Sequence, residues 1–363
     1  MRESSIVVRP QPMDSATYTA SSRLQASGLS TGITLFEQAA EAVSIPRPPQ
    51  PLAIADYGAA TGYNSLLPIG AAIAVLRRRT RADHAILVAH TDLPGNDFTA
   101  LFTTLTQDPD SYLAKDSATF VSAVGRSFYQ QILPSDSIAL GWSSWATHWL
   151  SRVPAPIGDH IHIAHSADQT ARRAYARQAA DDWHDFLAFR GRELAPGGRL
   201  VILTLGLDGT GRAGFGGVME ALWDSVRQLA AEGMLSDQEL ARMAIPTVGR
   251  TEKELLAPFA PSGRFEGLSV EHLDLFEAED RFWERYQTDG DAVGLGARWA
   301  GFARAAVFPT LTAALDGGTT DPRAGDIISR LQAEVAARIA AQPQPMSIPL
   351  ATLVAVKSRR LSG

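Results

Sequence analysis

The chain contains 363 residues, of which 45% are hydrophobic and 20% are charged, so it can bury a core and is not intrinsically disordered. The formal net charge is −6 and cysteine is absent, which excludes a cysteine nucleophile, a cysteine-ligated zinc site and a disulfide framework. The densest basic run, residues 77–81, lies at the predicted end of a helix, where cations complement the helix dipole. We therefore expect no nucleic-acid partner.

The sequence gives no sign of a membrane segment or a secretion signal. No apolar run reaches the roughly 18 residues that a membrane span requires, and the N-terminus leads into no signal-peptide core. We predict a cytoplasmic protein with no membrane span. Residues 1–12 are predicted to form a flexible N-terminal arm, and both Met1 and Met13 fit as the translation start.

Apolar segments alternate with helical segments in the first part of the chain. The predicted helices cover residues 35–43, 65–81 and 167–194, and the sequence Pro-Gly-Gly stops the last of them. Strands that alternate with helices predict an α/β fold with a parallel doubly wound sheet. The predicted strands cover residues 52–58, 85–92, 119–124, 137–142 and 199–205.

After Gly206 the chain becomes mostly helical. One strand is predicted at residues 266–276, and residues 346–356 are predicted to return as an edge strand. We expect the helical part to form a cap over the carboxyl ends of the strands, where doubly wound folds bind ligands. Residues 13–213, 265–276 and 346–363 are assigned to the α/β domain, and residues 214–264 and 277–345 to the helical cap.

Two segments at the ends of predicted strands carry candidate ligand-binding residues. Residues 56–62, Asp-Tyr-Gly-Ala-Ala-Thr-Gly, follow the first strand and open a helix, so they offer close backbone approach and free N–H groups. Asp92 ends the second strand, where an acid commonly binds ribose hydroxyls. Taken alone, these residues fit equally well a tight turn in the first case and a turn or helix-capping aspartate in the second.

Six segments in order resemble the plant salicylate, benzoate, jasmonate and caffeine methyltransferases, known as the SABATH family. The resemblance covers roughly residues 18–309. The resemblance implies a class I methyltransferase, with a Rossmann-like doubly wound sheet and a mostly helical substrate-binding cap. It also implies an S-adenosylmethionine cofactor, with S-adenosylhomocysteine as product, and a homodimer. The matching segments are residues 18–25, 54–65, 91–98 (Thr-Asp-Leu-Pro-Gly-Asn-Asp-Phe), 127–129, 142–154 and 193–199.

The resemblance gives roles to single residues of these segments. Gln25 and Trp149 would each donate a hydrogen bond to the carboxylate of a small-molecule acid, and they are the implied catalytic residues. Trp145 would line the methyl-transfer site, and Asp92 would bind the ribose. The implied cofactor-binding residues are Tyr18, Asp56, Gly58, Ala59, Asn64, Asp92, Leu93, Ser127, Phe128 and Ser143, with Tyr18, Ala59 and Asn64 near methionine and Leu93, Ser127 and Phe128 near adenine.

This chemistry suits the residue types. A carboxylate is already ionised at neutral pH, so no general base is needed. The protein has to hold one oxygen in line with the methyl group in a dry pocket, which is catalysis by proximity and orientation. An amide and an indole N–H can hold the anion without the opposing charge that would quench its nucleophilicity.

Some positions depart from the family pattern. Where some members bind magnesium through Asn-Lys-Gly-Asn, residues 155–160 read Ala-Pro-Ile-Gly-Asp-His, which puts magnesium in doubt. His160, His162 and His165 lack an acidic partner at a recognisable metal spacing, so we predict alternating histidines on an edge strand and no metal site. His148 fits a pocket-shaping role and simple packing equally well.

Aromatic residues of the family's acceptor pocket are replaced by smaller or more flexible ones. These replacements predict an enlarged pocket for a flexible apolar chain, and hence an aliphatic or fatty acid as the substrate. The implied substrate-binding residues are Gln25, Trp145, His148, Trp149, Val218, Met219, Val248, Ala303 and Ala306.

Three other functions compete with carboxyl methylation. The same fold could methylate a ring nitrogen, but Gln25 and Trp149, which such relatives usually alter, favour a carboxylate. A non-catalytic protein that binds S-adenosylmethionine would have a filled acceptor pocket. A dinucleotide-dependent dehydrogenase would carry the three-glycine fingerprint, which residues 56–62 lack.

Overall fold

A computed structural model describes residues 29–359. Its strands are β1 (Leu52–Tyr57), β2 (Ile86–Asp92), β3 (Thr119–Gly125), β4 (Ile138–Ser144), β5 (Leu194–Leu205), β6 (Leu268–Glu277) and β7 (Pro349–Lys357). Its helices are α1 (Leu29–Ala42), α2 (Tyr63–Arg79), α3 (Phe98–Gln107), α4 (Tyr112–Lys115), α5 (Gln169–Glu193), α6 (Gly216–Ala231), α7 (Asp237–Arg242), α8 (Glu252–Leu256), α9 (Arg281–Asp289), α10 (Ala292–Ala306), α11 (Phe308–Thr312) and α12 (Ala324–Ala341).

The seven strands form one sheet in the order β3-β2-β1-β4-β5-β7-β6. Strands β1 to β5 are parallel to one another, which confirms the predicted doubly wound sheet. The prediction of an edge strand at residues 346–356 is wrong in its position. β7 lies antiparallel between β5 and β6, and β6 is the edge strand. The unbroken burial of β7 from Pro349 to Ala355 is typical of a central strand.

The two faces of the sheet belong to different core clusters. Along β5, Val201 and Leu203 pack with α1 and α2, whereas Leu200 and Ile202 pack with α5. This alternation follows from the two-residue period of a strand, which points successive side chains to opposite faces. Because both faces are covered, β1 and β4 are almost entirely apolar and buried.

Two helix and strand boundaries differ from the predicted ones. α5 begins at Gln169, because the carboxylate of Asp168 accepts the N–H groups of Thr170 and Ala171 as its N-cap. The Pro-Gly-Gly segment after α5 lies inside β5, where the pairing register with β4 shifts between Ile138 and Leu140. It therefore forms an irregularity within a strand and not the break between helix and strand that we predicted.

The basic run at residues 77–81 is engaged inside the fold. Arg77, Arg78 and Arg79 occupy the last turn of α2, as predicted. Arg77 pairs with Asp116, and Arg79 donates to the carbonyl oxygens of Ala40 and Val43. These arginines therefore attach α2 to α1 and to the segment that precedes β3.

Candidate functional site

A cavity of about 1040 Å³ lies at the carboxyl ends of the parallel strands, and we call it the sheet-end cavity. The loops that follow β1, β2, β3 and β4 all contribute to its lining, as expected for the ligand-binding edge of a doubly wound sheet. Among its lining residues are Gly58, Ala60, Asp92, Leu93, Asn96, Ser127, Phe128, Ser144, Trp145 and Trp149.

The loop after β1 brings backbone atoms to the cavity in a conformation that requires glycine. Gly58 has φ +92°, and a Cβ atom there would lie 2.3 Å from the Cβ of Ala146. Ala60 has φ +47°, and its N–H donates to Asp92 Oδ2 at 2.7 Å. Gly62, with φ +78°, is the N-cap of α2. This loop therefore lets a ligand approach the main chain closely beside a helix N-terminus.

Asp92 presents a buried carboxylate to the sheet-end cavity. Its two oxygens accept N–H groups from Ala60 and Leu93, each at 2.7 Å. Burial raises the pKa of Asp92 to about 6, although these two hydrogen bonds act to lower it. The group is therefore mostly ionised at neutral pH, and its remaining lone pairs can accept the hydroxyl groups of a ribose.

Asp56 lies behind the cavity wall. Its Oδ2 accepts the Ser65 hydroxyl at 2.6 Å and lies 2.8 Å from His90 Nδ1, while His90 Nε2 lies 2.6 Å from the hydroxyl of Tyr112. Only 1% of Asp56 is exposed. Instead of the direct cofactor contact implied by the resemblance, this geometry supports a positioning role, in which Asp56 holds the end of β1 against α2 and β2.

Among the other implied cofactor residues, Ser127 and Phe128, in the loop after β3, both line the cavity. Ser143 does not line the cavity, because its hydroxyl donates to the Tyr57 carbonyl oxygen at 2.8 Å. Its neighbour Ser144 faces the cavity instead, and its buried Oγ has no partner in the described part of the chain. Ala59 is buried, and Asn64 lies in the first turn of α2. Tyr18 and Gln25 lie outside the described residues.

A second cavity, of about 60 Å³, adjoins the first, and we call it the inner cavity. Trp145, Trp149 and Ala306 line both. In the inner cavity the indole N–H of Trp145 and Nδ1 of His148 are buried and have no hydrogen-bond partner within residues 29–359. Burial lowers the pKa of His148 to about 3, so its imidazole is neutral. Buried polar atoms without partners are rare, so these two atoms are candidates for hydrogen bonds to a ligand.

The backbone that carries Trp149 is held on several sides. The Tyr129 hydroxyl donates to the Trp149 carbonyl oxygen, and Trp149 forms a β-bridge with Thr247. The buried Arg250 guanidinium donates to the Thr147 carbonyl oxygen at 2.8 Å. Trp145 itself has φ +54°, an unfavourable conformation that is found most often at functional sites.

The inner cavity is narrow among the described residues, because Phe215 and Phe302, whose rings stack at 5.5 Å, line it. Neither residue lies in a recognisable motif, so sequence comparison missed both. An acceptor pocket enlarged relative to the family stays a prediction. Of the implied substrate residues, Trp145, His148, Trp149, Met219 and Ala306 line the inner cavity, Val218 and Ala303 are packed in the core, and Val248 lines a third cavity.

The three histidines at residues 160–165 do not form a strand, contrary to the prediction. They lie in a loop and in a short 3₁₀ turn, Ile163–His165. His162 Nε2 lies 3.0 Å from the Thr247 hydroxyl, and the rings of His160 and His165 stack at 4.9 Å. Within residues 29–359 no group of three or more histidine, aspartate or glutamate residues is arranged to hold a metal ion.

The site fits S-adenosylmethionine. A close-approach glycine loop, an acid for the ribose hydroxyls and the aromatic Phe128 line one cavity of this sheet. Together with the strand order, they define a methyltransferase that depends on this cofactor. Residues 10–351 match the family described as SAM dependent carboxyl methyltransferase. The chain belongs to this family.

Two curated relatives are similar to the chain in sequence, and one solved structure is similar to it in fold. The chain is 30% identical to a salicylate carboxymethyltransferase of Clarkia breweri over 255 residues, covering 67% of this chain and 68% of the relative. It is 25% identical to gibberellic acid methyltransferase 2 of Arabidopsis thaliana, with 83% of each covered. The fold matches loganic acid methyltransferase, solved with S-adenosylhomocysteine, with a TM-score of 0.77 and 21% identity over 97% of this chain and 100% of that one.

Within the described range, none of the helices combines the length and the apolar character needed to cross a membrane.

Cofactor affinity should depend on pH through Asp92. Because the pKa of this carboxyl is raised to about 6, lowering the pH from 8 to 5 protonates it and removes acceptor capacity for the ribose. The Kd for S-adenosylhomocysteine should be flat above pH ~7 and rise by up to about tenfold per pH unit below the pKa. Isothermal titration between pH 5 and 8 measures this. Asp92→Asn should bind weakly throughout and with a flatter profile, whereas an identical profile in both proteins would exclude Asp92 as the titrating group.

Proposed function

We propose that the protein forms the methyl ester of an aliphatic carboxylic acid, whose carboxylate is held by Trp149 and Gln25. The observation that carries this proposal is the inner cavity, where Trp149 lies beside the unpartnered polar atoms of Trp145 and His148. The cavity adjoins the sheet-end cavity at Trp145 and Trp149, so an acceptor there would meet the cofactor's methyl group. Gln25 enters the proposal from the resemblance alone.

The chain's own residues need only bind and orient. The cofactor supplies a methyl group on a sulfonium, and as a carboxylate oxygen forms the new C–O bond the C–S bond breaks, leaving the ester and S-adenosylhomocysteine. An imidazole whose pKa is lowered to about 3 stays neutral, so His148 places no cation against the anion. Trp145 and Phe215, both largely buried, exclude water from the reacting oxygen. The transfer is therefore accelerated by orientation in a dry cavity.

An aliphatic acceptor suits the inner cavity better than a planar one. Met219, Phe302 and Val307 line it together with the backbone of the loop after β5. The stacked Phe215–Phe302 pair leaves no broad slot for a substituted ring, whereas a methylene chain can pass beside a flexible methionine.

The test is product analysis of an acid panel. The purified chain would be incubated with methyl-labelled S-adenosylmethionine and with octanoate, hexadecanoate, benzoate, salicylate or cinnamate, and the esters would be identified by mass spectrometry. We expect esters of the aliphatic acids. Esters of the aromatic acids alone would keep the reaction and discard this substrate class. No ester, with cofactor binding intact, would shift support to a nitrogen acceptor or to a cofactor-binding protein without catalysis.

Trp149→Phe should lower kcat/KM for the preferred acid by about 10- to 100-fold, because a hydrogen bond to a charged group contributes roughly 1.5–3 kcal/mol. The Kd for S-adenosylhomocysteine should change little. Trp283→Phe, on the half-buried face of α9, is the matched control and should keep full activity. An unaltered kcat/KM in Trp149→Phe would contradict the proposed role.

The remaining features rest on resemblance and sequence alone. We propose a homodimer, to be measured by light scattering of the purified chain, and a cytoplasmic location. We also propose that residues 214–264 and 277–345 act as the substrate-binding cap of the α/β domain.

A further inference from the structure

A third cavity, of about 1030 Å³, adjoins the inner cavity, and we call it the outer cavity. It opens between α5, the loop after β5 and the segment that precedes α8. Four residues, His162, Ala213, Thr247 and Gly249, line both the outer and the inner cavity. We call this shared set the neck. Trp145, Trp149 and Ala306 join the inner cavity to the sheet-end cavity. Asp181 and His184 line both the sheet-end and the outer cavity, so each of the three cavities adjoins the other two.

The cavity volumes indicate which part of an acceptor each cavity can hold. A single water needs roughly 10–15 Å³ of such space, so the inner cavity, at about 60 Å³, holds only the reacting end of an acid. Small-molecule sites usually measure roughly 300–1,000 Å³. The rest of the acceptor must therefore lie in one of the two larger cavities.

The place of the cofactor decides the direction. In the proposed function the cofactor occupies the sheet-end cavity, so a tail that entered this cavity would compete with it. The outer cavity is large enough for a tail and is reached from the inner cavity through the neck. An apolar tail therefore leaves the methyl-transfer site through the neck.

The outer cavity also contains polar groups that lack partners. Tyr175 is 1% exposed, and its hydroxyl has no hydrogen-bond partner within the described residues. Nε2 of His165 is also buried and has no hydrogen-bond partner within these residues. Both residues line this cavity, and burial raises the pKa of Tyr175 well above its ordinary value, so the phenol keeps its proton and can donate it.

Resting on the proposed function, we infer that the acceptor is an elongated acid whose tail passes the neck into the outer cavity, where a hydroxyl or carbonyl oxygen on the tail binds Tyr175. The outer cavity is thus the specificity site for chain length and for oxygenation of the tail. A long oxygenated acid is the preferred class, and a short unsubstituted acid is a poor substrate.

The neck is tested by Ala213→Trp, with Ala82→Trp, on the exposed turn before β2, as the matched control. For each protein, kcat/KM is measured for hexadecanoate and for octanoate. Wild type and Ala82→Trp should prefer hexadecanoate, and Ala213→Trp should lower the hexadecanoate-to-octanoate ratio at least tenfold. An unchanged ratio in a folded Ala213→Trp protein would overturn the tail path.

A second variant leaves packing intact. Tyr175→Phe removes only an unpartnered hydroxyl, so the protein should fold even where Ala213→Trp does not. Its preference for a hydroxyhexadecanoate over hexadecanoate should fall about tenfold, and an unchanged preference would overturn the role of Tyr175. Wild-type esters of both chain lengths without selectivity would refute the tail path alone. Absence of any ester, with S-adenosylhomocysteine still bound, would refute the proposed function itself.

Discussion

Gly58→Ala is expected to weaken S-adenosylmethionine binding at least 100-fold and to destabilise the fold by about 2–4 kcal/mol. Two effects add. At φ +92° an L side chain is strained, and the new Cβ would lie 2.3 Å from the Cβ of Ala146. The loop must therefore move, and it carries Ala60, whose N–H fixes the carboxylate of Asp92. Titration calorimetry with the cofactor and urea unfolding measure the two effects.

The clash and the backbone strain can be separated. In the double variant Gly58→Ala/Ala146→Gly the opposing Cβ is gone, so part of the affinity should return, while the strain of positive φ remains. Gly70→Ala is the matched control, because in the middle of α2 its Cβ would make an ordinary contact at 3.7 Å with Tyr112. That control should be neutral or stabilising by about 0.5–1 kcal/mol. Equal affinities in Gly58→Ala and wild type would show that the loop does not approach the cofactor.

The strands and the sheet-end cavity could be predicted because their signals are local. β1, β2 and β4 are short, largely buried apolar runs, and Asp92 is the last residue of β2. Successive side chains of a strand, however, point to opposite faces of the sheet, so a sequence match that is wrong by one residue selects the wrong side chain. Sequence matching placed Ser143 at the cofactor, whereas the hydroxyl of Ser143 bonds to Tyr57 and Ser144 faces the cavity.

The acceptor side could be predicted only in part, because its shape depends on contacts between distant segments. Val218 and Met219 are neighbours on α6, and a helix turns about 100° per residue, so only Met219 lines the inner cavity while Val218 is packed in the core. Phe215 and Phe302 belong to segments far apart in the chain and meet only in the fold. No motif marks either position, so the narrow cavity could not be derived from residue substitutions.

Arg190→Met should destabilise the protein by about 3–5 kcal/mol, because it leaves the carboxylate of Glu193 buried without its charge partner. Both side chains are fully buried, with Nε and Oε2 2.9 Å apart at the end of α5. The exposed pair Arg227 and Asp224 has the same three-residue spacing on α6. Arg227→Met is therefore the matched control, and it should change the free energy of unfolding by less than about 1 kcal/mol. Similar losses in both variants would contradict this account.

The same ion pair should also affect the affinity for the cofactor, because it holds the loop that follows β3. Arg190 donates to the carbonyl oxygens of Phe128 and Gln130, and Glu193 accepts the N–H groups of Ile132 and Leu133. When Arg190 is lost, the loop that carries Ser127 and Phe128 loses its anchor. We therefore expect Arg190→Met to bind S-adenosylhomocysteine about tenfold or more weakly at a temperature where it is still folded, and Arg227→Met to bind it normally. If Arg190→Met lost stability but kept full affinity, the pair would support the core alone and the loop would be held by its own contacts.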